Sequence, residues 1–363
     1  MKKILFTIYS LRGGGAERIM TNLANHLVEN NYKVTILTMG NADCAYKLSQ
    51  SIKIIELGFK PNISSPFSSF KNLFYRIKLV YKKFVEIKPD LCISFMSETN
   101  IISIISAKLI KVPIIVSERT NPSIHQISFV YTFLRKILYK YASSVIVQTE
   151  GVSGFFSKNY RLKNLQIIPN FIQIDQFKSV KNEKENTILS VGRLSSEKGH
   201  LLLLNAYAIS DAIKMGWKLK IVGTGPLELV YQKISKELKI DDNVEFGGHS
   251  SNVYANLINA GIFVLPSTYE GFPNALMEAL AVGVPSISTN CDYGPSDLIQ
   301  DGLNGFLVNV GDVNQLKNQI NILIHDARLR ERFRLEGPKS MKKFDYVIVI
   351  SKWNTLINET IKN

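Results

Sequence analysis

The segment Glu270-Gly271-Phe272-Pro273-Asn274-Ala275-Leu276-Met277-Glu278 follows directly on an apolar run at 262–267, IFVLPS. Gly271 permits backbone angles closed to other residues and Pro273 pre-sets a helical φ, so the pattern predicts a helix starting near Asn274 with unpaired N–H groups at its first turn. Ala275 falls in that turn. A carboxylate accepts hydrogen bonds from vicinal hydroxyls, and a helix N-terminus attracts an anion. Glu270 before the helix and Glu278 about one turn inside it therefore suit a ligand with hydroxylated rings on both sides of a phosphate. A nucleotide sugar has that form. The competing reading is two solvated glutamates that favour the helix dipole.

Two further loops carry glycine beside charge. In Val191-Gly192-Arg193-Leu194-Ser195-Ser196-Glu197-Lys198-Gly199, a guanidinium fork and an ammonium point charge can converge on one dianionic group such as a diphosphate. The alternative is a solvated loop with a charge pair to Glu197. Arg12-Gly13-Gly14-Gly15-Ala16-Glu17-Arg18 is a strand-to-helix turn whose glycines allow close backbone approach and whose helix start offers N–H groups to an anion. It matches neither common phosphate-loop pattern, and an ordinary tight turn is the other reading. No Asp-x-Asp occurs, and the histidines (His26, His125, His200, His249, His325) form no spaced cluster. Cys44, Cys92 and Cys291 are odd in number and far apart, which fits neither a disulfide framework nor a zinc site and suits a reducing cytoplasm. No metal is expected.

These loops need a scaffold. Runs without polar alternation at 2–9, 33–39, 91–96, 113–118, 144–149 and 165–170 alternate with helical stretches. A second series lies at 186–193, 218–225, 243–248, 262–267, 285–290 and 305–309. Strands apolar on both faces indicate parallel sheets with helices on each side. The expectation is an α/β protein of two doubly wound, six-stranded units with ligands at the carboxyl ends of the strands and the site between the halves. At 363 residues two domains are the prior. Periodicity is lost around 169–184, so the boundaries read 1–170 and 171–338, with 339–363 a final helix reaching back to the first domain. The N-terminal run reads as a first strand, and no stretch approaches the roughly 18–20 apolar residues of a spanning helix.

Taken together, GGGAER, GRLSSEKG, VGTGPL (222–227), PSTYEGFPNALMEALAVGVPSIST (266–289) and DGLNGFLV (301–308) make a set that resembles a family 4 retaining glycosyltransferase of GT-B fold. The resemblance implies two Rossmann-like domains facing across a cleft, the first binding an acceptor and the second a nucleotide sugar. It implies that Arg193 and Lys198 hold the donor diphosphate, that Glu278 takes the ribose hydroxyls, and that Glu270 with the backbone at Phe272, Pro273 and Asn274 takes the transferred sugar. Ala275 and Gly223 join this donor set, and Gly14 and Gly15 close on the phosphates from the opposite domain. One position departs from the pattern. Arg119 stands where many relatives carry a histidine that contacts the donor sugar, and it is expected either to touch substrate or to pair with Glu118. The implied reaction is a metal-independent transfer, with retention, of a hexose or N-acetylhexosamine from a UDP-sugar to a lipid-linked or oligosaccharide acceptor in polysaccharide, O-antigen or capsule assembly. No cofactor beyond the donor is implied. A sugar-nucleotide epimerase of the same fold and a non-catalytic nucleotide-sugar-binding protein at the membrane are the alternatives.

The charge is one-sided. Of a net +14, residues 1–170 hold 23 basic and 9 acidic side chains and the remainder hold 21 of each. Residues 70–85 place Phe70, Leu73, Phe74, Ile77, Tyr81 and Phe84 on one helical face, with Lys71, Arg76, Lys78, Lys82 and Lys83 on the rest. Residues 131–141 repeat the mixture with Arg135, Lys136 and Lys140. Such helices can lie on an anionic bilayer, each basic residue adding about 1 kcal/mol. A cytoplasmic protein held peripherally on the inner face of the cell membrane is expected. Nucleic acid is not expected as a partner, because the aromatics fall on the apolar face rather than forming a stacking platform.

Overall fold

The computed structural model describes residues 1–59, 66–124, 127–173, 185–250 and 252–362. Most of the polar join expected at 169–184, and the side chains of Phe70 and Lys71, lie outside the described residues. Two compact units result, the first of Met1–Asn170 with Val349–Asn363 and the second of Phe171–Ile348.

The first unit is built on β1 (Lys3–Ile8), β2 (Lys33–Thr38), β3 (Lys53–Glu56), β4 (Leu91–Phe95), β5 (Ile114–Ser117), β6 (Ser144–Val147) and β7 (Leu165–Ile167). All pairings are parallel, in the order β3-β2-β1-β4-β5-β6-β7. The sheet therefore has seven strands where the sequence suggested six. The extra one, β3, is an edge strand with Lys53, Ile54 and Glu56 exposed, so it lacks the apolar run that marks the buried strands.

Helices α1 (Gly15–Glu29), α2 (Pro66–Ile87), α3 (Ser97–Leu109), α4 (Phe129–Leu138) and α5 (Glu150–Tyr160) complete this unit. The inward stripe of α2 runs through Leu73, Arg76, Val80 and Phe84. Arg76 takes the place that counting apolar residues gives to Phe74, because its guanidinium lies over the Phe59 ring and bonds to the Tyr131 hydroxyl of α4. Phe74 is consequently 70% exposed and Tyr75 is exposed beside it. On α4, Phe129 is 84% exposed and Phe133 and Ile137 are exposed too. The expectation that the aromatics of these helices face inward is corrected on this point.

The second unit carries β8 (Thr187–Val191), β9 (Lys218–Val222), β10 (Val244–Phe246), β11 (Ile262–Leu265), β12 (Ser286–Thr289) and β13 (Phe306–Val308). They form a parallel sheet in the order β10-β9-β8-β11-β12-β13. Its helices are α6 (His200–Ala208), α7 (Glu228–Glu237), α8 (Val253–Asn259), α9 (Asn274–Val282), α10 (Pro295–Leu298), α11 (Val313–His325) and α12 (Ala327–Met341). Gly337 lets α12 press on α9, since a Cβ there would lie 2.7 Å from the Leu280 carbonyl oxygen.

Pro338 does not end α12, which continues to Met341, and the last helix α13 (Tyr346–Lys362) starts later than the position directly after Pro338 that the sequence suggested. Within α13 the chain returns to the first unit at Val349. There Trp353 is fully buried with its ring stacked on Phe95 at 6.4 Å. Asn354 bonds to His26, and the Tyr32 hydroxyl donates to Asn358.

Candidate active site

In the second unit the chemistry-bearing loops are packed by glycine. The chain leaves β8 at Gly192 and passes the exposed Arg193 into a 3-10 turn at Ser196–Lys198. The turn closes at Gly199, whose φ is +65°. A Cβ on Gly199 would sit 1.9 Å from the Pro266 carbonyl oxygen, so only glycine lets this turn rest against the loop after β11. The Thr268 N–H donates to the Glu197 carbonyl at 2.8 Å and laces the two loops together. The Lys198 ammonium then reaches Glu270 Oε1 at 2.7 Å. Its side chain is 25% exposed against 8% for Glu270, so the pair sits at the edge of solvent with the cation outermost. Glu197 is held by the Ser195 hydroxyl, and the ion pair Lys198 forms is with Glu270.

The Glu270 carboxylate has a second donor on the same oxygen, the buried Ser267 hydroxyl at 2.7 Å. The main-chain oxygen of Ser267 in turn accepts from the Thr289 hydroxyl at the end of β12. Sequence reasoning missed Ser267 and Thr289. The signal for Ser267 is its place three residues before Glu270 in the strand-end PSTYE, whereas that of Thr289 depends on strand order. Cys291 also lies near, buried, with its thiol pushed up to about 12 by burial and then by the charge of Glu270. It stays protonated and unreactive at neutral pH.

Helix α9 begins at Asn274, as the Gly-Phe-Pro sequence predicts. Phe272 is buried edge-on to Phe344 at 5.9 Å, and Gly294 packs so closely on Pro273 that a Cβ would lie 2.4 Å from its Cδ. The Asn274 N–H donates to the Phe272 carbonyl at 3.0 Å, leaving the amides of Ala275 and Leu276 in the first turn, where a helix has no acceptor of its own. Glu278 follows on the same helix, part-buried. Gly223, expected among the donor contacts, has a φ of +145° and backs the Arg193 loop: a Cβ would lie 2.0 Å from the Gly192 carbonyl oxygen. The Leu194 N–H donates to Thr224 and the Leu227 N–H to Leu194, both at 3.0 Å. Behind the same loop His200 is buried edge-on to Tyr231, and burial lowers its pKa to about 4, so the ring is neutral.

The remaining candidates belong to the first unit. Gly14 precedes α1; the Tyr46 hydroxyl accepts its N–H at 3.2 Å and donates to its carbonyl at 3.0 Å. The Glu17 carboxylate lies over Gly14, with Oε2 2.4 Å from where a Cβ would be, and burial raises its pKa. Gly15 is the first residue of α1. Arg119 follows β5 and is buried. Its Nη1 donates to Asn170 Oδ1 at 2.6 Å and its guanidinium lies 5.0 Å from the Phe95 ring centre and 6.0 Å from that of Trp353. Nε and Nη2 have no protein partner, and burial lowers the pKa to about 9. The pairing with Glu118 does not form: Glu118 accepts from the Ser97 hydroxyl at 2.8 Å and from the Tyr139 hydroxyl. Among the described residues no group of three or more His, Cys, Asp or Glu is placed to hold a metal ion.

With this geometry established, the chain can be set beside known proteins. Residues 171–340 match the family described as glycosyl transferases group 1, and residues 13–176 match glycosyltransferase family 4. The chain is 30% identical to the Campylobacter jejuni GalNAc-alpha-(1->4)-GalNAc-alpha-(1->3)-diNAcBac-PP-undecaprenol alpha-1,4-N-acetyl-D-galactosaminyltransferase, with all of both chains covered. It is 26% identical to the amylovoran biosynthesis glycosyltransferase AmsD of Erwinia amylovora, over 99% of this chain and 100% of the relative. Anabaena HepE, solved in complex with UDP-glucose, shares the fold with a TM-score of 0.84 at 20% identity, over 99% of this chain and 100% of the other. The chain belongs to glycosyltransferase family 4 and has the GT-B fold.

Proposed function

We propose that this glycosyltransferase moves a hexose or N-acetylhexosamine, with retention and without a metal ion, from a UDP-sugar to a lipid-linked or oligosaccharide acceptor in surface-polysaccharide assembly. The carrying observation is the Lys198–Glu270 pair, drawn together by Gly199 and set beside the start of α9. In this reading Arg193 and Lys198 meet the diphosphate, and the amides at the start of α9, with Phe272, Pro273, Asn274 and Ala275, face the same ligand. Glu278 takes the ribose hydroxyls and Glu270 a hydroxyl of the transferred sugar. Charge developing on the departing UDP meets groups already in place, which is electrostatic catalysis. The leaving phosphate helps to deprotonate the acceptor hydroxyl, and retention follows from attack on the face it vacates. Residues 171–338 are assigned to the donor and residues 1–170 to the acceptor; Gly14 and Gly15 are assigned to phosphate and Arg119 to substrate.

The names of relatives support the finer assignments. The Campylobacter transferase is named for an undecaprenyl-diphosphate-linked substrate and HepE was solved with UDP-glucose. No helix among the described residues is long and apolar enough to cross a membrane. The reading has the enzyme lying on the inner face of the cell membrane. The exposed Phe74, Tyr75, Phe129 and Phe133, with Lys78, Lys82 and Lys136 on the same two helices and Lys140 in the turn after α4, support that placement, since aromatic and basic side chains on one surface suit an anionic bilayer.

A panel of UDP- and GDP-sugars tests the reading. One UDP-sugar should raise the melting temperature and be consumed, releasing UDP faster when a polyprenyl-diphosphate-linked sugar is added, with chelator making no difference. A C2-inverted free sugar as product, or turnover restored to chelated enzyme only by magnesium, would contradict it.

A further inference from the structure

The two oxygens of the Glu270 carboxylate are not equivalent. Oε1 holds both the Lys198 ammonium and the Ser267 hydroxyl, each at 2.7 Å. A serine hydroxyl has one proton to donate, and that of Ser267 goes to Glu270. Ser267 is itself fixed, being wholly buried two residues past the end of β11 with its carbonyl bonded by the buried Thr289 hydroxyl of the neighbouring strand. The last torsion of a glutamate side chain is broad and roughly two-fold, so a carboxylate at the edge of solvent needs such an anchor to keep one orientation.

We infer that Ser267 is a positioning residue: its hydrogen bond locks the Glu270 carboxylate, turns Oε2 outward as the oxygen left for a ligand hydroxyl, and through the shared Oε1 holds the Lys198 ammonium where its remaining protons meet an anion. Ser267 acts through Glu270 and Lys198, so hydroxyl recognition and leaving-group stabilisation depend on the same hydrogen bond. Thr289 supports it one step further from the ligand. This rests on the proposal that Glu270 and Lys198 meet the donor.

The test compares Ser267→Ala with wild type in two backgrounds. In the wild-type background kcat should fall about 10- to 100-fold, because misplacement of the order of 1 Å in a positioned group costs that much. The dissociation constant for UDP should rise by less than the fall in kcat, since Lys198 is displaced rather than lost and the nucleoside diphosphate draws on Arg193, Glu278 and the start of α9 as well. In a Glu270→Ala background the same substitution should change kcat less than about twofold, because the group it positions is gone. Wild-type kcat in Ser267→Ala overturns the inference. An equal loss in both backgrounds, or a parallel loss of kcat and UDP affinity, also overturns it by showing a general structural role. Lys198→Ala and Glu270→Ala are measured alongside. If these two leave turnover intact, the donor assignment fails; if they abolish it while Ser267→Ala does not, only the positioning role fails.

Discussion

At the carboxyl end of the second unit's sheet, Lys198 sits 2.7 Å from a carboxylate and stays a quarter exposed. At the same end of the first unit's sheet, Arg119 is buried against Phe95 and Trp353 with one bond, to an uncharged amide, and its pKa falls to about 9. The first cation is compensated and near water, so meeting a phosphate requires little further desolvation. The second has lost most of its hydration and is held by ring faces, an arrangement that stabilises a guanidinium by only about 1–2 kcal/mol. Two cations at equivalent ends of similar sheets thus differ in setting: Lys198 is compensated and open to water, and Arg119 lies buried between Phe95 and Trp353 with Nε and Nη2 lacking a protein partner.

The sharpest way to break this comparison is to delete the exposed cation. Lys198→Ala should lower kcat by about 10²- to 10³-fold, the usual cost of losing one pre-placed group that stabilises developing charge, and a UDP-release assay reads this directly. Gly199→Ala attacks the packing that makes the pair. A Cβ 1.9 Å from the Pro266 oxygen at φ +65° should cost about 3 kcal/mol, seen as a lower midpoint in chemical denaturation with an unchanged slope. Unchanged stability would mean that the two loops are not held in contact.

Arg119→Met sharpens the other side. Replacing a buried, poorly compensated cation by an apolar side chain of similar volume is often neutral or stabilising, so thermal stability should hold or rise. A drop of several degrees would show that the cation–ring contacts outweigh the cost of burial.

The smallest effect concerns Glu17, whose pKa is raised by burial. The ionised form is disfavoured in the folded chain, so stability falls as pH rises from the ordinary glutamate value through the folded one. Glu17→Gln should therefore be more stable than wild type at pH 7, with the gap closing as pH falls below that of an ordinary glutamate. A gap that widens on acidification would reverse the sign.

Most of the geometry of the candidate site in the second unit was legible because its signals are local. Gly271 and Pro273 announce the start of α9, and the strand runs before Gly192 and Glu270 mark the sheet ends that carry the loops. What remained hidden depends on residues distant in sequence. The meeting of Lys198 with Glu270, 72 residues on, needs the approach of Gly199 to Pro266, and no spacing encodes it. The packing of Gly223 on Gly192, which backs the Arg193 loop, is likewise not encoded in any spacing. The surroundings of Arg119 come from Asn170 and from Trp353 in the last helix. In α2 an apolar count misplaced the inward face because Arg76 finds its partners in Phe59 and Tyr131. The edge strand β3 was missed because it carries exposed charge.

The central claim is that fixed cationic and backbone groups of the second unit hold a nucleoside diphosphate sugar without an ion. Calorimetric titration of UDP into wild type, Lys198→Ala and Glu278→Ala, each in the presence of chelator, tests it most directly. The account predicts that wild type binds in chelator and that affinity drops at least about tenfold in each variant, roughly 1.4 kcal/mol. Equal affinity in all three proteins, or binding that appears only when magnesium is restored, would contradict it.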